Sequence, residues 1–313
     1  MSEAAMKGKV GEKDVYREWL SPSCGFFYTI NEVLYRGSSD YQDIELVDTD
    51  EFGKVLLLDG ILQVAEKHEY QYHEPMVHFP MISHPSPHDV LLIGGGDGGI
   101  LRELVKYRSV RRIDFVDLDR EVVEFARTHL ESIHQGAFDD PRIFAHFQDG
   151  RSFVEKNPAA YDVVIMDMTD PFGPAKMLYT REFFQAVRDS FKSDAGVFMM
   201  HGESPIARPI AFASIRKTLS SVFPSVHTAT MFVQMYATLW SMMIASVSSD
   251  PLQIAPTTVD ERLKAEGITG LHVMNAHTWQ AMLTVPPYIT ELYQKDACLI
   301  TDAHPDFPDD FLE

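Results

Sequence analysis

Cysteine is nearly absent. Cys24 and Cys298 are the only two thiols in 313 residues, far apart and without CxxC or other metal-ligand spacing. That excludes a disulfide framework and a structural zinc site, and it predicts a reduced, cytoplasmic setting. No apolar run reaches the roughly 18 residues that a transmembrane helix needs. The opening stretch MSEAAMKGKVGEKD lacks the apolar centre of a signal peptide and predicts a frayed tail over residues 1–12. Basic residues are scarce beside acidic ones, 27 Lys and Arg against 46 Asp and Glu, for a formal charge of −19. A field of that sign repels nucleic acid and anionic membranes and attracts cations. Acidity also serves solubility, so the charge gains meaning only beside a matching site.

The composition is that of an ordinary globular protein, 45% hydrophobic and 23% charged, with enough chain for one large domain or two modest ones. Residues 15–70 alternate apolar and polar in short bursts. Turn signals at Gly37-Ser38-Ser39, Asp48-Thr49-Asp50 and Asp59-Gly60 divide them, which predicts antiparallel hairpins. From about residue 86 the rhythm changes. DVLLI, RIDFVDL, RIFAHF, YDVVIM and GVFMMH alternate with helical patterns such as REVVEFARTHL and TREFFQAVRDSF. Strands alternating with helices predict a parallel, doubly wound α/β sheet, closed by a hairpin from PSVHTATMF and YATLWSMMIASVS. The expected division is a β-hairpin domain over 1–75 and an α/β domain over 76–313. Beyond about residue 250 the pattern is irregular, and DAHPDFPDDFLE reads as a mobile acidic tail.

The stretch LLIGGGDGGILREL (91–104) satisfies the dinucleotide fingerprint through Gly94, Gly96 and Gly99. Yet Asp97 lies where a pyrophosphate would meet the helix N-terminus, so the loop favours a ligand with positive charge. Ligands of such sheets bind at the carboxyl ends of the strands. Asp117 ends the second strand, where an acid grips ribose hydroxyls or is simply an exposed loop acid. Gln148-Asp149-Gly150 follows the third, where the acid can accept from an adenine amino group or cap a helix. DMTDPFGP (167–174) brings Asp167 and Asp170 to the fourth exit. A turn would explain the prolines and acids, but turns rarely need two acids at a buried strand end. In EYQYHEP (69–75), Tyr70, Tyr72, His73 and Glu74 crowd together without metal-ligand spacing. A structural histidine is the expectation there, and no metal is expected.

Taken together, GGGDGG, the preceding LLLDGILQVAEKHEYQYHE and DMTDPFGPAKMLYTREFF resemble the polyamine aminopropyltransferases, the spermidine and spermine synthases. The resemblance spans about Tyr41 to Ser249. It implies a small N-terminal β domain and a Rossmann-like catalytic domain of class I methyltransferase type, in a homodimer or homotetramer. It implies decarboxylated S-adenosylmethionine as co-substrate, with no true cofactor, methylthioadenosine as product and a polyamine acceptor such as putrescine, spermidine or agmatine. By resemblance, Gln42 of the YQDI motif, Asp97 and the glycine loop (Gly94, Gly96) would contact the donor. Asp117 would hold its ribose, and Asp149 with Gly150 its adenine. Asp167 would be the catalytic acid–base residue, with Asp170, Tyr72 and Tyr236 orienting the aminopropyl group or the attacking amine. PFGPAKMLYT matches the loop that covers the site.

The sequence departs from the family pattern in places. Asp117 stands where Glu is more usual, and His73 where some members have Gln. MYATLWSMM (235–243) lacks the Pro-Thr-Tyr of putrescine-using members, and Tyr236 followed by Leu239-Trp240 is more similar to spermine and thermospermine synthases. This leans toward an acceptor longer than putrescine, bound against His73, Tyr236 and Trp240, although a single tryptophan in a strand is commonly core. Three other readings share parts of the pattern: a methyltransferase using intact S-adenosylmethionine, an NAD-dependent oxidoreductase, and a non-catalytic polyamine-binding protein. Asp97 opposes both the carboxylate of the first ligand and the pyrophosphate of the second. The intact paired acids weigh against the third.

Overall fold

Short alternating runs need partners on both edges, and at the N-terminus they find them in two antiparallel sheets. In the computed structural model the residues described are 7–169, 173–295 and 297–307, with the side chains at 7, 173 and 174 excepted. Strands β1 (Lys7–Val10), β2 (Lys13–Ser21) and β3 (Cys24–Ile30) form the first sheet. Strands β4 (Glu32–Ser38), β5 (Asp43–Thr49), β6 (Gly53–Leu58) and β7 (Ile61–Ala65) form the second. The frayed tail expected over 1–12 is thus corrected from Lys7 onward. Gly11 takes φ +63, which lets the chain turn and pair Lys7 with Tyr16. Residues 1–6 lie outside the described residues.

The chain then enters helix α1 (Tyr70–Ser83), inside which the boundary expected at residue 75 falls. Met76, Val77, Phe79 and Ile82 of this helix pack with Val90, Leu92, Val163 and Ile165 of the large sheet. That sheet holds seven strands in the order β10-β9-β8-β11-β12-β14-β13. Five are parallel: β8 (Asp89–Gly94), β9 (Arg112–Asp117), β10 (Ile143–Phe147), β11 (Val163–Asp167) and β12 (Val197–His201). β13 (Ser225–Val233) and β14 (Thr238–Ser246) form the antiparallel hairpin at the far edge. Helices α2 (Gly99–Val105), α3 (Arg120–His129), α4 (Glu131–His134), α5 (Gly150–Glu155), α6 (Arg181–Asp189) and α7 (Pro209–Ser220) fill the connections. Core strands such as β12 are buried along their whole length because helices cover both faces. The order reverses between β8 and β11, which opens a crevice at their carboxyl ends.

Beyond residue 250 two expectations are corrected. The extension contains helices α8 (Pro256–Glu266) and α9 (Ala276–Leu283), and Trp279 of α9 packs on Phe79 with ring centroids 4.5 Å apart. The Glu74 carboxylate in α1 accepts from the backbone N–H groups of His272, Val273 and Met274 at 2.7–3.0 Å. The tail is also docked as far as it is described: Ile300 and Phe307 are core residues, and Asp302 pairs with Arg151 at 2.6 Å. Their packing against Tyr179 and Phe212 holds a segment whose acidic composition had suggested mobility. Among the described residues no helix is long and apolar enough to cross a membrane.

Candidate active site

One cavity of about 570 Å³ lies over the carboxyl ends of the parallel strands. Its floor is made by strand exits in sheet order. Asp149 and Gly150 follow β10, Asp117 ends β9, Gly94 to Asp97 leave β8, Asp167 ends β11, and His201 with Glu203 leave β12. Tyr72 and His73 come from α1, Tyr236 and Trp240 from the β13–β14 hairpin, and Gln42 and Trp19 from the N-terminal sheets. All site residues expected from the sequence therefore meet here except Asp170, which lies outside the described residues.

The glycine loop is shaped by its neighbour strand. Gly94, Gly95 and Gly98 all take positive φ, and Gly95 N–H donates to the Asp167 carbonyl at 2.8 Å. Asp97 turns back into the loop, where Oδ1 accepts from Gly99 N–H at 2.6 Å. Its cationic partner is already present: His73 Nε2 lies 3.6 Å from Asp97 Oδ1, and His73 Nδ1 lies 2.6 Å from Glu69 Oε2. Burial alone would strip the His73 proton, but the Asp97 and Glu69 carboxylates outweigh it and raise the ring to about 10. The same imidazolium, with the Gly99 N–H, overcomes burial at Asp97 and holds that carboxyl below its usual range.

Asp167 has the opposite fate. Packed round by protein and repelled by Asp97, it is raised to about 6, although Tyr72 donates to its Oδ1 at 2.6 Å. Asp117 is raised to about 7, chiefly by burial, despite accepting from Asp119 N–H at 2.9 Å. Two recessed carboxylates thus sit near neutrality beside one kept ionised, a pattern that marks sites of proton chemistry.

One ligand atom each from His73, Asp97 and Asp167 lies within 4.8 Å of the others. A metal would need an imidazole lone pair, and both His73 nitrogens face carboxylates. The constellation suits an organic ammonium better than a metal ion.

The remaining residues combine structural contacts with a place in the cavity wall. Asp149 caps α5 by accepting from Ser152 N–H at 2.7 Å, the helix-cap alternative, and it also lines the cavity. Gln42 Nε2 donates to Asp119 at 2.9 Å, and Asp119 also accepts from Ser39 at 2.5 Å and caps α3. Tyr236 donates to the Gln63 carbonyl at 3.2 Å and packs 4.8 Å from Trp240, which in turn stacks on His201. Trp240 is therefore part of the cavity wall, and its indole N–H is buried without a hydrogen-bond partner among the described residues.

Sequence reading missed Glu69, Arg102, Asp119, Glu203 and Arg208. Glu203, buried at φ +64, pairs with Arg208 at 3.4 Å in the cavity wall. The strand-exit rule that found the other acids would have found it, had it been carried to the fifth parallel strand. Arg102 carried no signal, because it reads as one more polar residue of an amphipathic helix.

Comparison with known proteins gives the family. The spermine/spermidine synthase domain matches residues 69–254, and the spermidine synthase tetramerisation domain matches 15–66. A polyamine aminopropyltransferase of Nitrosomonas europaea is 40% identical over 292 residues, 93% of this chain and 90% of that protein. One from Pyrobaculum calidifontis is 38% identical over 86% of this chain and 94% of its own length. A crystal structure of spermidine synthase in complex with the transition-state analogue AdoDATO superposes with a TM-score of 0.84 at 36% identity. It covers 89% of this chain and 94% of that one. Spermidine synthase from Thermotoga maritima gives a TM-score of 0.82 at 33% identity, over 91% and 96%. Fold and cleft define a transferase of methyltransferase-like architecture. The chain belongs to the spermine/spermidine synthase family, the polyamine aminopropyltransferases.

Proposed function

We propose that this enzyme transfers the aminopropyl group of decarboxylated S-adenosylmethionine to an amine of a polyamine acceptor, releasing methylthioadenosine. The observation that carries this reading is the convergence of Asp97, Asp167 and Tyr72 at the strand exits of one cavity. An ammonium fits between acids of that kind, and a pyrophosphate or amino-acid carboxylate does not. Asp117 and Asp149, on the β9 and β10 side, suit ribose and adenine, with Gln42, Gly94, Gly96 and Gly150 shaping the donor pocket. Tyr236 and Trp240, on the β14 side, suit the methylene chain of the acceptor, and their broad aromatic faces can add cation–π contact. That wall supports an acceptor longer than putrescine. Asp170 is proposed to steady the acceptor with Tyr72 and Tyr236.

The chemistry is a direct displacement. The acceptor nitrogen forms a bond to the aminopropyl carbon beside the sulfonium, the carbon–sulfur bond breaks, and its electron pair leaves on a neutral thioether. Asp167 takes the proton that the nitrogen must shed, since alkylamines are protonated near neutrality. Above about pH 6 its carboxylate is ionised and ready to do so. His73 sits between Glu69 and Asp97, so its role is to shape the field, not to exchange protons. Alignment of the two substrates supplies the rest of the rate.

Exposed Phe27, Leu34 and Tyr41 on the N-terminal strands and turn support assembly of copies through that domain into a homodimer or homotetramer. Two exposed free cysteines support a cytoplasmic setting. Mass spectrometry of products from decarboxylated S-adenosylmethionine with putrescine, agmatine or spermidine tests the activity and names the acceptor. Absence of methylthioadenosine with every acceptor would overturn the reading. Asp167→Asn is expected to keep donor binding in calorimetry and to lose turnover by roughly two to four orders of magnitude.

A further inference from the structure

Behind the cavity runs a chain of buried charges that the proposed reaction does not itself use. Arg102, in α2 just after the glycine loop, grips the Glu69 carboxylate with both Nη atoms at 2.8 and 2.9 Å. Its Nε donates to Glu103 at 2.9 Å, and Nη1 also donates to the Ile133 carbonyl at 2.9 Å. Arg102 and Glu69 are 6% and 8% exposed, and His73, the next link, 2%. A Cβ on Gly99 would lie 2.2 Å from His73 Cε1, so the ring is pressed against the start of α2 and cannot swing away.

We infer that Glu69 and Arg102 are positioning residues that keep a cationic His73 pressed between two acids, so that Asp97 and Asp167 can stand beside it together as carboxylates. The groups facing the imidazole are Glu69 at the N-cap of its helix, Tyr72 on that helix, Asp97 from the glycine loop and Asp167 from β11, with Arg102 of α2 behind Glu69. Remove the Glu69 charge and one anion fewer opposes desolvation of the imidazolium. A neutral His73 leaves Asp97 and Asp167 repelling each other unscreened, so they share one proton and the proposed base is lost. Arg102 is needed because a buried Glu69 without its guanidinium would itself take up a proton. The fork occupies both carboxylate oxygens and leaves the second bifurcated toward His73, a geometry that a single ammonium cannot copy.

The kinetic part of the test rests on aminopropyl transfer; the spectroscopic part does not. Histidine ring nitrogens of the full-length, ligand-free enzyme are followed by NMR from about pH 6 to 9, around the ordinary histidine value. His73→Gln assigns the signal. In the wild type His73 is expected to remain an imidazolium across that range. In Glu69→Gln, which keeps an acceptor oxygen but deletes the charge, it gains a midpoint inside the range. Arg102→Lys, which keeps the charge but loses the fork, should shift it less and serves as the second variant if Glu69→Gln fails to fold. In parallel, the acidic limb of kcat/KM for the donor should move up by about one pH unit in Glu69→Gln. Glu69→Asp should bring it back toward the wild type. Wild-type His73 titrating near its ordinary value would overturn the inference. So would a variant whose pH profile overlays that of the wild type while only its Tm falls. If no acceptor yields product, the NMR result still decides whether the relay exists.

Discussion

Gly94 takes φ +76, and a Cβ there would fall 2.0 Å from the Asp167 carbonyl oxygen. Gly94→Ala therefore both strains the backbone and pushes the strand end that carries the proposed base. A loss of roughly 3 kcal/mol or more is expected, seen as a lower Tm. Turnover of the protein that remains folded should fall further than the folded fraction does. At this scale the residue types were legible in the sequence and their states were not. Asp97, Asp117, Asp149 and Asp167 follow from counting strand exits. That Asp97 stays ionised depends on His73, 24 positions away in sequence and brought up by the packing of α1 on α2, while burial and the Asp97 charge raise Asp167 to about 6. Spacing carries no trace of that contact.

Among the elements, the least legible is the last. The segment after residue 295 has no periodicity, so its docking could not be read from the sequence. Its anchors are single residues: Phe307 against Tyr179, with rings 5.9 Å apart, Lys176 paired with Asp306 at 3.0 Å, and Asp302 on Arg151 and Thr180. These contacts fall on residues 176–180, the end of the stretch matched to the covering loop, and on Arg151 in the cavity wall. Phe307→Ala should cost about 3 kcal/mol by the usual toll of emptying an aromatic site. Because Tyr179 also donates to the Thr169 carbonyl at 3.1 Å, KM should rise more than kcat falls. Equal effects on both would show the segment to be only a brace. The parallel strands, by contrast, were legible almost residue by residue, most plainly β8, β11 and β12, where burial on both faces leaves uninterrupted apolar runs.

For the whole molecule, a charge of −19 surrounds a cleft proposed to admit cations. Raising KCl from about 0.05 to 0.3 M shortens the screening length and should lower kcat/KM for a di- or tricationic acceptor several-fold, with kcat little changed. A salt-insensitive kcat/KM would mean the acidity serves solubility alone. Domain order was legible from the change of rhythm near residue 86. The contribution of the N-terminal sheets to the cavity, through Trp19 and Gln42, was legible only in part, because YQDI carries a family motif and Trp19 does not.

The hydrogen bond from Gly95 to Asp167 joins positions 72 residues apart in the chain, yet the neighbouring strands β8 and β11 make them adjacent. The loop proposed to receive the donor and the carboxylate proposed to receive the proton are thus parts of one rigid backbone ladder. The four helices and two strands between them can drift in length and composition on the surfaces that face away from the cavity without changing the distance across which the reaction runs.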